Sequence, residues 1–186
     1  MIHDISVTKP IDMPLTFYPT DSKLAIFEKV QQYLEANGLL VTARDLARPW
    51  GGFFVIDETQ AQQFAQRFFP GISVADLRIG GRLSPKILIV QGTRRLSWQY
   101  HHRRAEIWKL VAGEAGVAIS PTDDEGIVQP MMPGDVIRLD RGQRHRLVGL
   151  ENWGMVAEIW QHTDALHPSD EDDIVRVQDD FGRSVL

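Results

Sequence analysis

The chain has 186 residues, 43% of them hydrophobic, and a net charge of −5, which makes a single domain with a substantial core the expectation. Cysteine is absent, so disulfides and thiolate ligands are excluded, and the acidic balance argues against a nucleic-acid partner. No apolar run is long enough to span a membrane, and the start, Met1-Ile-His-Asp-Ile-Ser6, has no basic region followed by an apolar stretch, so a cytoplasmic protein is expected.

Prolines at 10, 14 and 19 mark residues 1–19 as an extended arm. Thr20 or Asp21 is placed to cap a helix that runs to about Asn37, with Gly38 as its stop. Its apolar stripe is Ile26, Phe27, Val30 and Leu34, while Lys23, Glu28, Lys29 and Glu35 face water. Gly51–Ile56 reads as a strand. Thr59-x-x-Gln62 has the form of a capping box for a second helix, whose apolar face is Ala61, Phe64, Ala65 and Phe68 and whose end is Pro70-Gly71.

From about residue 86 the pattern turns to short β-rich runs: 86–90, 95–101, 107–111, 115–120, 135–139, 146–150 and 155–160. Turn residues separate them at Gly92, Gly113, 121–126, Pro133-Gly134, Arg141-Gly142 and 152–154. Many short strands with regular turns predict a mainly β sandwich or barrel. The acidic cluster from Ser169 to Asp173 reads as a solvated turn.

Chemistry-bearing residues concentrate between Gln99 and His145. Strand alternation puts Gln99 and His101 on one face and turns His102 away. A bend near Arg103–Ala105 would return Glu106 to that face, with Trp108 and Leu110 following it inward and Ile107 and Lys109 pointing outward. An antiparallel return after Gly142 would set His145 opposite Glu106. Burying an amide, a carboxylate and two imidazoles unpaired would cost several kcal/mol, and a cation removes that penalty. N and O donors with an open position suit Zn, Mn, Fe, Ni or Co. Arginine outnumbers lysine fifteen to five, and eight arginines fall between Arg94 and Arg146, which points to a small anionic substrate. Of the tryptophans, Trp98 is expected in a second packing layer and Trp108 on the ligand face.

These residues resemble the cupin superfamily, a double-stranded β-helix or jelly-roll barrel. Gln99 stands where that family's first histidine usually stands, Asp140 where proline does, and Gly149 where asparagine often closes the second motif. Glutamine there is similar to the type II phosphomannose isomerase branch. Three blocks carry the likeness in the same order: Arg48-Pro-Trp-Gly51, Leu96-Ser-Trp-Gln-Tyr-His-His-Arg-Arg-Ala-Glu-Ile-Trp108, and Asp172-Asp-Ile-Val-Arg176 with Asp180-Phe-Gly-Arg183. Arg103 and Ile107 depart from it, since the family usually has histidine at both.

The resemblance implies residues 1–47 as an arm and helix, and 48–186 as a cupin barrel with an inserted helix near 59–69 and a C-terminal block closing the mouth. In bifunctional members a nucleotidyltransferase domain precedes the barrel; residues 1–47 do not read as one. The implied metal ligands are Gln99, His101, Glu106 and His145, with zinc the first choice of divalent ion. Arg95, Arg104, Arg176 and Arg183 are implied to meet the substrate. Lys86 and Glu158 are the two general-base choices. The implied activity is aldose–ketose isomerisation of a sugar phosphate through an enediolate. A non-catalytic sugar-phosphate-binding cupin and an Fe-dependent cupin oxygenase are the alternatives. A homodimer paired through strands is the assembly that the likeness allows.

Overall fold

The computed structural model describes residues 14–77 and 82–185. The arm expected at the N-terminus therefore lies mainly outside the described residues, although Phe17, within it, is buried in the core. Helix α1 spans Lys23–Ala36. Its cap is Ser22, whose hydroxyl accepts from Ala25 N, rather than Thr20 or Asp21. Asp21 is drawn away because it accepts instead from Tyr18 N and Lys29. Gly38, at φ +68°, ends the helix as expected.

Strands β1 (Val41–Asp45) and β2 (Gly51–Ile56) form an antiparallel pair. The second helix opens differently from the capping-box expectation. Asp57 accepts from Thr59 N and from its hydroxyl, which winds a 3-10 turn over Glu58–Gln60 ahead of α2 (Ala61–Phe68). A short α3 (Val74–Leu77) follows.

The remaining strands are β3 (Lys86–Val90), β4 (Trp98–Tyr100), β5 (Arg104–Ser120), β6 (Gln129–Met131), β7 (Val136–Leu139), β8 (Arg144–His162) and β9 (Val175–Gln178). Two pairs of runs expected as separate strands are single long strands, β5 and β8, paired from Arg104↔His162 to Ser120↔Arg144. The glycines between the runs make bulges rather than turns. Gly113 sits at φ +75°, and a Cβ on it would lie 1.9 Å from the Trp153 carbonyl oxygen, so only glycine fits there. Strands β1, β6 and β9 were not anticipated.

One sheet runs β1-β2-β3-β8-β4-β9, and β5 joins β8 to β6 and β7, so the sheet curls into the expected cupin barrel. Two apolar clusters lie on its two faces. The helices α1 and α2 cover the outer face, where Phe27, Phe64, Ile87, Ile107, Met155 and Ile159 pack together. Ile107 thus points outward from the barrel as expected, yet at 1% exposure it is sealed under the helices, not in water. The barrel interior holds Leu88, Val90, Trp108, Leu110, Leu147 and Val156. Each such fully buried side chain contributes roughly 1.5–3 kcal/mol. Among the described residues no helix is long and apolar enough to cross a membrane.

Candidate metal centre

His101, Glu106 and His145 converge inside the barrel, all buried, with ligand atoms within 4.8 Å of one another. The bend between β4 and β5 brings the first two onto one face. His145, at the start of β8, pairs in register with Gln99, not with Glu106 as the sequence arithmetic suggested. Glu106 instead lies opposite Leu139 and Trp160 and reaches His145 across the interior.

Hydrogen bonds at the far side of each imidazole fix the tautomers. Nδ1 of His101 donates to the Asp173 carbonyl at 2.5 Å, and Nδ1 of His145 donates to the Gln143 carbonyl at 2.9 Å. Both Nε2 lone pairs therefore face Glu106, at 3.1 Å from Oε1 for His101 and 3.4 Å from Oε2 for His145. Among the described residues, Glu106 Oε2 and His145 Nε2 have no hydrogen-bond partner although both are buried. Two acceptors facing each other without a donor are an unstable arrangement. Donors each about 2.0–2.2 Å from one shared ion stand roughly 3.0–3.5 Å apart, and Glu106 stands at that spacing from each imidazole. The trio therefore fits a divalent cation.

Burial pushes the Glu106 carboxyl up, but neighbouring positive charge, the Arg104 guanidinium that donates to it included, holds the group well below its ordinary range. Burial pushes the His101 imidazole down against the pull of Glu106. Gln99, the fourth expected ligand, is buried beside the trio, but its Oε1 accepts the Ser97 hydroxyl at 2.5 Å.

A cavity of about 260 Å³ opens over this floor. Lys86, Gln99, Arg104, Glu106, Glu158, Arg176 and Arg183 all line it, so most of the expected substrate and acid–base residues are brought together. Arg95 is not. It lies outside the cavity, clamped by Asp180 through two N–H groups, and it secures the C-terminal tail to the barrel. Arg104 lines the wall but is committed: Nε donates to Glu106 at 2.7 Å and Nη1 to Ser169 and the Asp170 carbonyl, over the Trp160 ring.

Lys86, Glu158 and Trp108 form a row across β3, β8 and β5. Trp108 Nε1 donates to Glu158 Oε1 at 2.9 Å, confirming the inward face for that indole. Burial, then the charge of Glu106, raises the Glu158 carboxyl to about 7. Lys86 is ion-paired with Glu171 and lies over the Trp160 ring. Trp98 is fully buried away from this cavity and donates to the Asp123 carbonyl, as its alternation required.

The sequence reading missed several contributors. Arg48, Trp50, Phe53 and Trp160 line the cavity. Arg48 and Trp50 were visible in the Arg-Pro-Trp-Gly block, but nothing in the spacing tied that block to the ligand strand. The Ser169–Asp173 cluster is a solvated turn only over residues 170–172. Ser169 and Asp173 are each 5% exposed, and the Asp173 carboxylate accepts from His102 N, Arg103 N and the Ser169 hydroxyl. It braces the bend that carries His101.

Comparison with known proteins agrees with this geometry. The family model described as mannose-6-phosphate isomerase C-terminal matches residues 57–179. A mannose-1-phosphate guanylyltransferase of Salmonella montevideo is 30% identical over 160 residues, covering 86% of this chain and 27% of that protein. The enzyme of the same name from Escherichia coli is 29% identical, covering 84% of this chain and 27% of its own. The chain thus spans about a quarter of the length of these relatives. Among solved structures, a point mutant of oxalate decarboxylase from Bacillus subtilis superposes with a TM-score of 0.50 at 14% identity, over 74% of this chain and 32% of that one, a likeness of fold alone. The chain belongs to the mannose-6-phosphate isomerase C-terminal family of cupin domains.

Proposed function

We propose that this chain is a metal-dependent isomerase that interconverts an aldose phosphate and the matching ketose phosphate in the cytoplasm. The observation that supports it most is the unpaired facing of Glu106 Oε2 and His145 Nε2 on the floor of a cavity walled by arginines. His101, Glu106 and His145 would hold the divalent ion, zinc first, with Gln99 adjacent. When bound, that ion supplies Lewis-acid stabilisation of negative charge developing on the substrate oxygens.

Glu158 is the general base in this reading. It takes the proton from the hydroxyl-bearing carbon next to the carbonyl and, once the hydroxyl proton has passed from one enediolate oxygen to the other, returns one to the former carbonyl carbon. A carboxyl raised to about 7 is matched to both steps near neutral pH. Trp108 holds its Oε1 in place, and Lys86 faces it across the row with its own charge fixed by Glu171. The indoles of Trp50 and Trp160 keep the walls apolar between the charges. The family description and the relatives' names, which refer to mannose phosphates, favour the same substrate class.

The test is metal content of the purified protein, followed by a panel of aldose phosphates with and without added ion. Turnover of at least one sugar that disappears on chelation is the expected result. A metal-loaded protein inert across the panel contradicts the isomerase and favours a sugar-phosphate-binding domain. Oxygen uptake with Fe(II) would instead identify an oxygenase.

A further inference from the structure

We propose that Arg48, Arg176 and Arg183 form an anion subsite in the cavity, with Arg176 the residue that meets a phosphate-class dianion most directly. The assignment rests on the sugar-phosphate reading of this cavity and selects the wall that receives the anion.

Five cationic side chains line the cavity: Arg48, Lys86, Arg104, Arg176 and Arg183. Four have a carboxylate partner. Arg48 Nε is 2.8 Å from Asp45 and Arg104 Nε is 2.7 Å from Glu106, while Lys86 pairs with Glu171 and Arg183 with Asp179. Arg176 has no ion pair among the described residues, and its Nε is buried without a hydrogen-bond partner. A partly buried guanidinium left unpaired costs free energy that an arriving anion recovers.

The surroundings make the same point. Burial lowers the proton affinity of Arg176, and the nearby charges of Arg183 and Arg48 lower it further, with only Asp179 acting the other way. Like charges gathered at one place are unfavourable until a counter-charge arrives. A guanidinium has five N–H donors in a planar fork, so Arg48 and Arg183 keep donors to spare after meeting their aspartates. Of the acids on the lining, Glu106 and Glu171 are engaged by Arg104 and Lys86, Glu158 Oε1 accepts from Trp108, and Asp172 is exposed to solvent.

Register places this group apart from the ligand trio. Arg176 on β9 pairs with Gln99 on β4, and Gln99 pairs with His145 on β8. Side chains directly opposite in a sheet share a face, and two strand spacings come to about 10 Å. Phosphate binding after chelation therefore reads whether the arginines hold the anion without the ion.

Isothermal titration with inorganic phosphate tests this, in protein as purified and again after chelation so that phosphate cannot ligate an ion. Arg176→Gln should weaken phosphate binding at least tenfold, and Arg176→Lys, which keeps the charge but not the fork, should fall between. Arg138→Gln, exposed on β7 and outside the cavity, should bind as wild type, and metal affinity should be unchanged in all three. Wild-type phosphate affinity in Arg176→Gln, or no saturable phosphate binding in the wild type, overturns the assignment. So does a parallel loss of metal affinity in Arg176→Gln, which would make Arg176 a support for the ligand strand. Phosphate binding that follows these expectations without turnover of any aldose phosphate counts against the isomerase and leaves the subsite standing.

Discussion

At the scale of single residues, Glu158 is the group on which chemistry and pH behaviour meet. Replacing it with glutamine keeps the Trp108 hydrogen bond available but removes the base. Metal content should stay at the wild-type level while isomerase turnover falls by roughly 10²–10⁴-fold. The same carboxyl has a stability signature in the metal-free protein. Its folded pKa is raised from 4.5 to about 7, so its stabilising contribution is complete below pH 4.5 and is lost as pH rises through 7. Burial lowers the His101 and His162 imidazoles from 6.5, and they act with the opposite sign over the same range. The comparison with Glu158→Gln separates the two. Between pH 5 and 8, the melting temperature of the chelated wild type should fall relative to the variant as pH rises. Parallel curves for the two proteins would contradict the environment described for Glu158.

At the scale of elements, the segment between β8 and β9 matters more to the centre than its sequence suggests. The Asp173 carbonyl orients His101, and its carboxylate ties down two amides of the bend before β5. Asp173→Ala should therefore lower metal affinity by about 10–100-fold, the usual effect of losing a partner that supports a ligand, with the cavity residues untouched. Competition with a chromophoric chelator reads that change, and unaltered affinity would reduce the segment to a cover. This role was hidden in the sequence because a run of acids following Pro168 and Ser169 has the composition of a solvated loop, and only the fold shows which acid turns inward. The long strands were misread for a related reason. Gly113 and Gly154 look like turn residues, but they mark where β5 and β8 cross a bulge with their ladder intact on both sides. Gly113→Ala forces a Cβ against the Trp153 carbonyl at a positive φ, and a loss of about 2–4 kcal/mol is expected from urea unfolding. A loss under about 0.5 kcal/mol, the range of an ordinary surface change, would argue against the bulge.

Across the whole molecule, the curled sheet separates two kinds of packing. The outer face is closed by α1 and α2, and the inner face carries a mixed floor of apolar and ionisable groups. Periodicity made the helices, β2, β3 and the inward parity of Gln99, His101, Glu106 and Trp108 legible, because alternation and the 3.6-residue repeat are properties of the chain itself. Long-range register was not legible. Pairing His145 with Gln99 and swinging Arg95 out to Asp180 depend on strands 40 or more residues apart, and no local pattern encodes those choices. Arg48 entered the site for the same reason, from a block distant in sequence and brought over the cavity by β2.

The central claim is that one divalent ion sits among two imidazoles and a carboxylate inside this barrel. Titration of Zn(II) or Mn(II) into chelated protein, followed by calorimetry, tests it most directly. The account predicts one saturable equivalent per chain, thermal stabilisation on loading, and loss of that equivalent in both Glu106→Gln and His145→Ala. Absence of saturable binding, or binding that survives in both variants, would contradict it.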